Sequence, residues 1–272
     1  MTTHPAMSAT RLRRIVLDLA YSGNAVHIGC AFSIVEVLAV LYRDLLRFPG
    51  NDPESPMRDY LVLSKGHGVM AQYACMRELG WLDDADIANY FGDGTSLKGL
   101  SDSRVPGLEV SSGSLGHGFS VGVGLAFGAS LKGTDQRTYA IVGDGEANEG
   151  SIWEGALFAA HHRLRNFMVI VDANGFQAMG RTKDILDLGS LEDKFRSFGF
   201  EAVTIDGHDE QLIHSTVCDL WVSSSDRPKA IVASTVKGHG VDFMADDNAW
   251  HYTRLDPETY RRAIKSLGGS TS

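Results

Sequence analysis

Cysteine is scarce: the 272 residues hold 3, Cys30, Cys75 and Cys218, each alone in an apolar stretch and none in a C-x-x-C spacing. That excludes a disulfide framework and a thiolate metal site, and it points to a reducing, cytoplasmic compartment. Proline is thin at 7 residues, and no linker-like tract, low-complexity segment or internal repeat divides the chain. No apolar run approaches the roughly 20 residues that span a bilayer, and the polar N-terminus has no signal-like apolar core, so a soluble protein away from membranes is expected. Basic charge is in the minority, 25 Lys and Arg against 34 Asp and Glu for a net charge of −9. With no dense basic block, binding to nucleic acid through a basic face is ruled against. None of the 10 histidines sits in an H-E-x-x-H spacing, so a zinc site is not expected.

Against these shortages stands glycine, 30 of 272 residues or about 11 %, where roughly 7 % is usual. Without a Gly-X-Y period, the excess implies tight turns and close backbone approaches, as around phosphates. Hydrophobic residues make up 43 % and charged residues 22 %, and a compact chain of this size buries about three quarters of its unfolded surface.

Helix and strand signals alternate along the chain. Helices are expected over 10–20, 34–46, 71–79, 84–91, 115–131, 149–163, 191–198, 209–222 and 256–268, and strands over 59–63, 138–142, 167–171, 200–205 and 229–234. Ser33 and Glu36 have the spacing of a capping box for the second helix. Asp256 followed by Pro257 reads as an N-cap and first helical residue for the last. Arg11, Arg13 and Arg14 read as a solvated face. This alternation implies an α/β fold, a parallel sheet with helices on both faces, in one domain over 1–272. The stretch 91–114 is rich in Gly, Ser and Asp and has no period, which is uncommon unless it serves a site.

The sharpest feature follows the strand at 138–142: Gly143-Asp144-Gly145-Glu146-Ala147-Asn148-Glu149-Gly150. The next strand ends in Asp172-Ala173-Asn174-Gly175. Ligands of open parallel sheets bind beyond the carboxyl ends of the strands, and Asp144 and Asn174 each lie just past one. A carboxylate and an amide oxygen at one sheet edge suit a hard cation such as Mg²⁺, which takes its other ligands from phosphate. Glycines beside a helix N-terminus let the backbone approach a diphosphate. Asp172 reads as a strand cap or as the residue that orients Asn174.

Gly-Asp-Gly with a later asparagine resembles the thiamine-diphosphate motif, and the chain as a whole resembles the N-terminal portion of transketolases. Further motifs carry the likeness: His27-Ile28-Gly29, Ser64-Lys65-Gly66-His67-Gly68, Pro106 to Val110 with Gly113 to Gly116, Thr235 to Gly238, and Trp250-His251. The resemblance implies that Asp144, Asn174 and the carbonyl of Phe176 hold Mg²⁺, or Ca²⁺ or Mn²⁺ in its place, against thiamine diphosphate. It implies that Gly145, His67 and His251 contact the diphosphate, and that Gly113 and Leu115 contact the aminopyrimidine side. His27, His67 and His251 are the implied catalytic residues, with His27 and His67 facing the reacting centre, where an imidazole donates to an oxyanion or shuttles a proton. Glu149 and Glu154, grouped with the cofactor-binding residues, are implied at a subunit interface that links paired active sites.

Two departures shape the functional expectation. The family's pyrimidine-binding domain, which supplies the glutamate that activates the cofactor, is not among these 272 residues. A separate C-terminal transketolase subunit is therefore expected, with two copies of each chain. The family's Gly-His-Pro reads Gly99-Leu100-Ser101 here, removing a donor whose loss commonly costs about 1–3 kcal/mol. His239 and Tyr252 are lesser departures. The expected activity is transfer of a two-carbon ketol unit from a ketose-like donor to an aldehyde, with a sugar or keto compound as substrate. Decarboxylating acyl transfer from a 2-oxo acid is the alternative that Leu100 favours. A non-catalytic cofactor-binding or assembly subunit is the alternative of a different class.

Overall fold

A computed structural model describes residues 7–268. Its strands are β1 (Tyr60–Leu63), β2 (Thr138–Gly143), β3 (Phe167–Ala173), β4 (Phe176–Gln177), β5 (Gly180–Arg181), β6 (Glu201–Asp206) and β7 (Lys229–Ser234). Five form one sheet in the order β1-β2-β3-β7-β6, and every pairing is parallel. Strands β4 and β5 make a separate antiparallel hairpin. The α-helices are α1 (Ala9–Ser22), α2 (Ile28–Phe32), α3 (Val35–Val40), α4 (Val69–Glu78), α5 (Asp84–Ala88), α6 (His117–Lys132), α7 (Gly150–His161), α8 (Thr182–Leu186), α9 (Leu191–Ser197), α10 (Glu210–Val222) and α11 (Pro257–Ser266).

The alternation of side chains along a strand sorts the core into two layers. Tyr139 and Ile141 of β2 point to the larger cluster, built from α1 to α4 and α10, while Ala140 and Val142 point to the cluster under α6, α7 and α9. Helices thus cover both faces, and the parallel α/β architecture expected from the alternating pattern is the one observed. Gly118 lets the start of α6 lie close to the end of β1: a Cβ there would sit 2.7 Å from Ser64 Cα. The final helix is capped as expected, the Asp256 carboxylate accepting the Thr259 N–H at 2.7 Å behind Pro257. The chain from Phe91 to Gly116 has no helix or strand.

Three local readings are corrected. Ser33 does not cap α3: it is helical, with φ −62° and ψ −24°, and Ile34 precedes α3 with no side-chain cap. A capping residue needs an extended backbone, and Ser33 instead donates its hydroxyl to Asp172 Oδ2 at 2.8 Å. Its supposed box partner, Glu36, is buried against Arg13, whose Nη1 and Nη2 donate to the carboxylate at 2.6 and 2.8 Å. Arg13 is therefore not part of a solvated face, although Arg11 and Arg14 are on the surface. The helix expected over 34–46 also widens into one π-turn, Leu41–Leu45, after α3.

Candidate functional site

The carboxyl ends of β1, β2, β3 and β7 lie side by side. They hand the chain to loops bearing Lys65 and His67, Asp144 and Gly145, Asn174 and Phe176, and Lys237. These residues line one cavity of about 300 Å³, joined by His27, Leu100, Gly113, Leu115, His251 and Tyr252. All three candidate catalytic histidines, all three candidate metal-side residues, and Gly113, Leu115 and Gly145 thus share a single space. Glu149 and Glu154 do not line it; both are exposed, at and within the start of α7.

On one side the polar groups are oxygens held by the backbone. Asp144 accepts the Gly145 N–H at 2.7 Å through Oδ1 and the Gly175 N–H at 2.6 Å through Oδ2. Burial, then the nearby Asp172 carboxylate, push Asp144 up to about 7. Such a group gains from a cation beside it, which restores its charged form. Asn174 is locked at both ends: Oδ1 accepts the Phe176 N–H at 3.0 Å, and Nδ2 donates to Asp172 Oδ2 at 2.7 Å. Asp172 is the orienting residue that its position beside Asn174 suggests. Its burial would raise its pKa, yet Lys65, Thr235 and Ser33 overcome that and hold it below the usual range. Gly145 has no room for a side chain, since a Cβ would meet that of Gln177 at 2.6 Å.

Three imidazoles form the other side, with ring centroids 5.3 Å apart for His27 and His67, 5.2 Å for His27 and His251, and 5.5 Å for His67 and His251. His27 stands in the left-handed region, φ 71°, at the start of α2. Its backbone N–H donates to the His251 carbonyl at 3.0 Å, pinning the two segments together. Burial and the Lys237 charge lower His27 to about 4 and His251 to about 3, and burial lowers His67 well below its usual value. All three are neutral at pH 7. Lys237 Nζ stands 2.9 Å from His251 Nδ1 and 2.7 Å from Asn248 Oδ1. An ammonium there donates to Nδ1, which leaves Nε2 as the N–H of His251.

Lys65 and Lys237 are the groups that residue-by-residue reading did not single out. Each sits in a glycine-bearing loop just after a buried strand, and that was the available signal. Lys65 forms a buried ion pair with Asp172 and donates to the Cys30 carbonyl at 2.9 Å. Two lysines and several backbone amides beside a buried carboxylate make a space fit for a polyanion and a cation together.

Known proteins resemble the chain along nearly its whole length. The family model described as transketolase, thiamine diphosphate binding domain, matches residues 5–271. An apulose-4-phosphate transketolase subunit of Phocaeicola vulgatus is 33 % identical over 262 residues, covering 96 % of this chain and 92 % of that protein. The 6-deoxy-6-sulfo-D-fructose transketolase subunit SqwG of a Clostridium species is 37 % identical over 260 residues, covering 95 % and 94 %. The solved transketolase of Campylobacter jejuni superposes with a TM-score of 0.88 at 26 % identity, over 99 % of this chain but 43 % of that one. The chain thus spans less than half the length of that solved enzyme. Among the described residues no helix is long and apolar enough to cross a membrane.

Proposed function

The chain belongs to the transketolase family, and we propose that it is the diphosphate-binding subunit of a two-chain enzyme moving a two-carbon ketol unit from a ketose-like donor to an aldehyde. The observation that carries this reading is the meeting of Asp144, Asn174 and three neutral imidazoles in one cavity. The residues present fit thiamine diphosphate and Mg²⁺. The donor set of Asp144 carboxylate, Asn174 Oδ1 and Phe176 carbonyl is all oxygen, as a hard cation requires. Gly145 leaves the backbone bare for a phosphate, and Lys65 and Lys237 supply positive charge below it. Bound thiamine diphosphate supplies the carbon nucleophile that breaks and remakes the C–C bond.

The chain's own part is binding, orientation and proton handling. Asp172 fixes the Asn174 amide so that its oxygen faces the metal position. His251, turned by Lys237, presents Nε2–H to an oxygen in the cavity, and His27 and His67 are neutral and able to give or take a proton there. Leu100, Leu115 and Tyr252 form the rim, 43 %, 37 % and 62 % exposed. These groups suit the face of a partner that completes the site and excludes water. Two relatives covered over more than nine tenths of their length are named as transketolase subunits, which supports a C-terminal partner carrying the pyrimidine-binding domain. We read residues 1–272 as one diphosphate-binding domain and the assembly as two copies of each chain. The phosphate and sulfonate sugars in those relatives' names support a sugar substrate with a terminal anion. Three free thiols suit a cytoplasmic setting.

Co-expression with the C-terminal partner chain and assay of two-carbon transfer from hydroxypyruvate or a ketose phosphate test the reading. Activity dependent on thiamine diphosphate and Mg²⁺ is expected. Carbon dioxide release from pyruvate with no ketol transfer would replace it with the acyl-transfer reading.

A further inference from the structure

Beside the cofactor cavity lies a second one of about 310 Å³, and the two share His27 and Leu100. Its wall is apolar, formed by Val26, Phe91 and Leu100, and its charged lining residues are Lys98 and Arg254. Three separate segments meet there. The turn after α1 brings Val26, the irregular stretch after α5 brings Lys98, and the turn before α11 brings Arg254. The stretch is built for this approach: Phe91 has φ 64° and its N–H donates to the Leu97 carbonyl at 3.0 Å. Gly99 lets the Phe91 ring lie against the backbone, where a Cβ would sit 2.6 Å from it.

Neither cation has a carboxylate partner among the described residues. Arg254 uses Nε on the Asn24 carbonyl at 2.9 Å, which aims the side chain and leaves both Nη groups unused. Lys98 reaches only the Gly92 carbonyl, at 3.5 Å. The carboxylate that feels the Lys98 charge, Asp102, is already bound to Arg104 at 2.5 Å. In a chain of net charge −9, two unpaired cations lining one cavity beside the reacting centre are conspicuous. Lys98 is half-buried and Arg254 exposed, so both can meet an anion that enters the cavity from solvent.

We propose that Lys98 and Arg254 bind the terminal oxyanion of the substrate, a phosphate, sulfonate or carboxylate, while its reacting carbonyl lies at His27. The inference rests on the ketol-transfer reading and adds to it the part of this chain that selects anionic substrates. A substrate whose carbonyl is at His27 extends past Leu100 into the second cavity, where the Arg254 fork suits two oxygens of one oxyanion.

Two measurements on the same variants separate this proposal from the reading beneath it. The first is binding of inorganic phosphate to the full chain at saturating thiamine diphosphate and Mg²⁺, followed by phosphorus NMR line broadening. The diphosphate position is then filled, and K98A/R254A is expected to weaken phosphate binding about ten-fold or more, the scale of one charge-assisted hydrogen bond. K98R, which conserves charge and leaves the Arg254 fork intact, is expected to retain it. The second is the ratio of kcat/KM for D-glyceraldehyde 3-phosphate over D-glyceraldehyde in the assembled enzyme, expected to fall about ten-fold in K98A/R254A, mainly through KM. An unchanged phosphate affinity, or a changed affinity with an unchanged ratio (an adventitious ion only), overturns the proposal. If the assembled enzyme transfers no ketol unit, the functional reading fails. Phosphate binding then decides on the cation pair alone, its loss in K98A/R254A supporting the anion site and its retention overturning it.

Discussion

The backbone N–H of His27 donates to the carbonyl oxygen of His251 at 3.0 Å, joining residues 224 positions apart at the rim of one cavity. This contact sets the spacing of two imidazoles that burial and the Lys237 charge hold neutral, His27 to about 4 and His251 to about 3. An unfolded histidine protonates near 6.5, so the unfolded chain takes up protons that the folded chain refuses. The stability these groups contribute is present above about pH 6.5 and is lost as pH falls through their folded values. Thermal unfolding of the cofactor-free protein is expected to shift downward between pH 7 and pH 4.5, with a shallower slope in H27Q/H251Q. A His27 ring proton titrating near 6.5 by NMR would contradict the assignment.

The second prediction concerns Asp172, which bonds Asn174 Nδ2 and pairs with Lys65. It touches no metal position itself, so its effect passes through Asn174. Residues that orient a metal ligand typically carry 10–100-fold in affinity. D172N is expected to lower Mg²⁺ affinity in the presence of thiamine diphosphate by about that factor, read by calorimetry. D144A is expected to remove Mg²⁺ binding on the same readout.

Buried charge gives a third. Arg13 and Glu36 are 4 % and 6 % exposed as side chains, and Glu36 also lies 3.0 Å from His208 Nδ1. Burial alone would raise Glu36, yet His208 and Arg13 pull it down to about 2. Removing one member of such a pair strands the other in the core, commonly at about 3–5 kcal/mol. E36Q is expected to cost that much in denaturant unfolding, whereas R14A, on the exposed side of α1, should cost less than about 1 kcal/mol.

Ser33 and Glu36 match a capping box because that pattern is local, but Arg13 is 23 positions from Glu36, and the ion pair exists only once α1 and α3 pack. Similarly, β4 and β5 have two residues each, too few for any hydrophobic period. The Asp144 and Asn174 pair is legible in sequence because two buried strands, each with an oxygen-bearing residue just beyond its end, place both at one sheet edge whatever the loops do. Lys65 and Lys237 stay hidden because a lysine in a loop reads as solvated until its distant partners are seen, Asp172 for Lys65 and Asn248 and His251 for Lys237.

Leu100 supplies a fourth prediction. It lines the cofactor cavity and crowds Gly113, where a Cβ would meet its Cδ1 at 2.7 Å. A hydroxyl placed against it finds no partner, a loss of about 1–3 kcal/mol. L100H is expected to raise kcat/KM for hydroxypyruvate relative to pyruvate, which lacks that hydroxyl, by about ten-fold, the lower half of that range. An unchanged donor ratio would separate Leu100 from donor choice.

The most direct measurement is the rate of two-carbon transfer to an aldehyde by this chain, by its C-terminal partner and by their mixture, each with thiamine diphosphate and Mg²⁺. Turnover is expected in the mixture alone and is lost when Asp144 is replaced by alanine. Full turnover by this chain without the partner, or no transfer by the mixture with any ketol donor, would contradict that expectation.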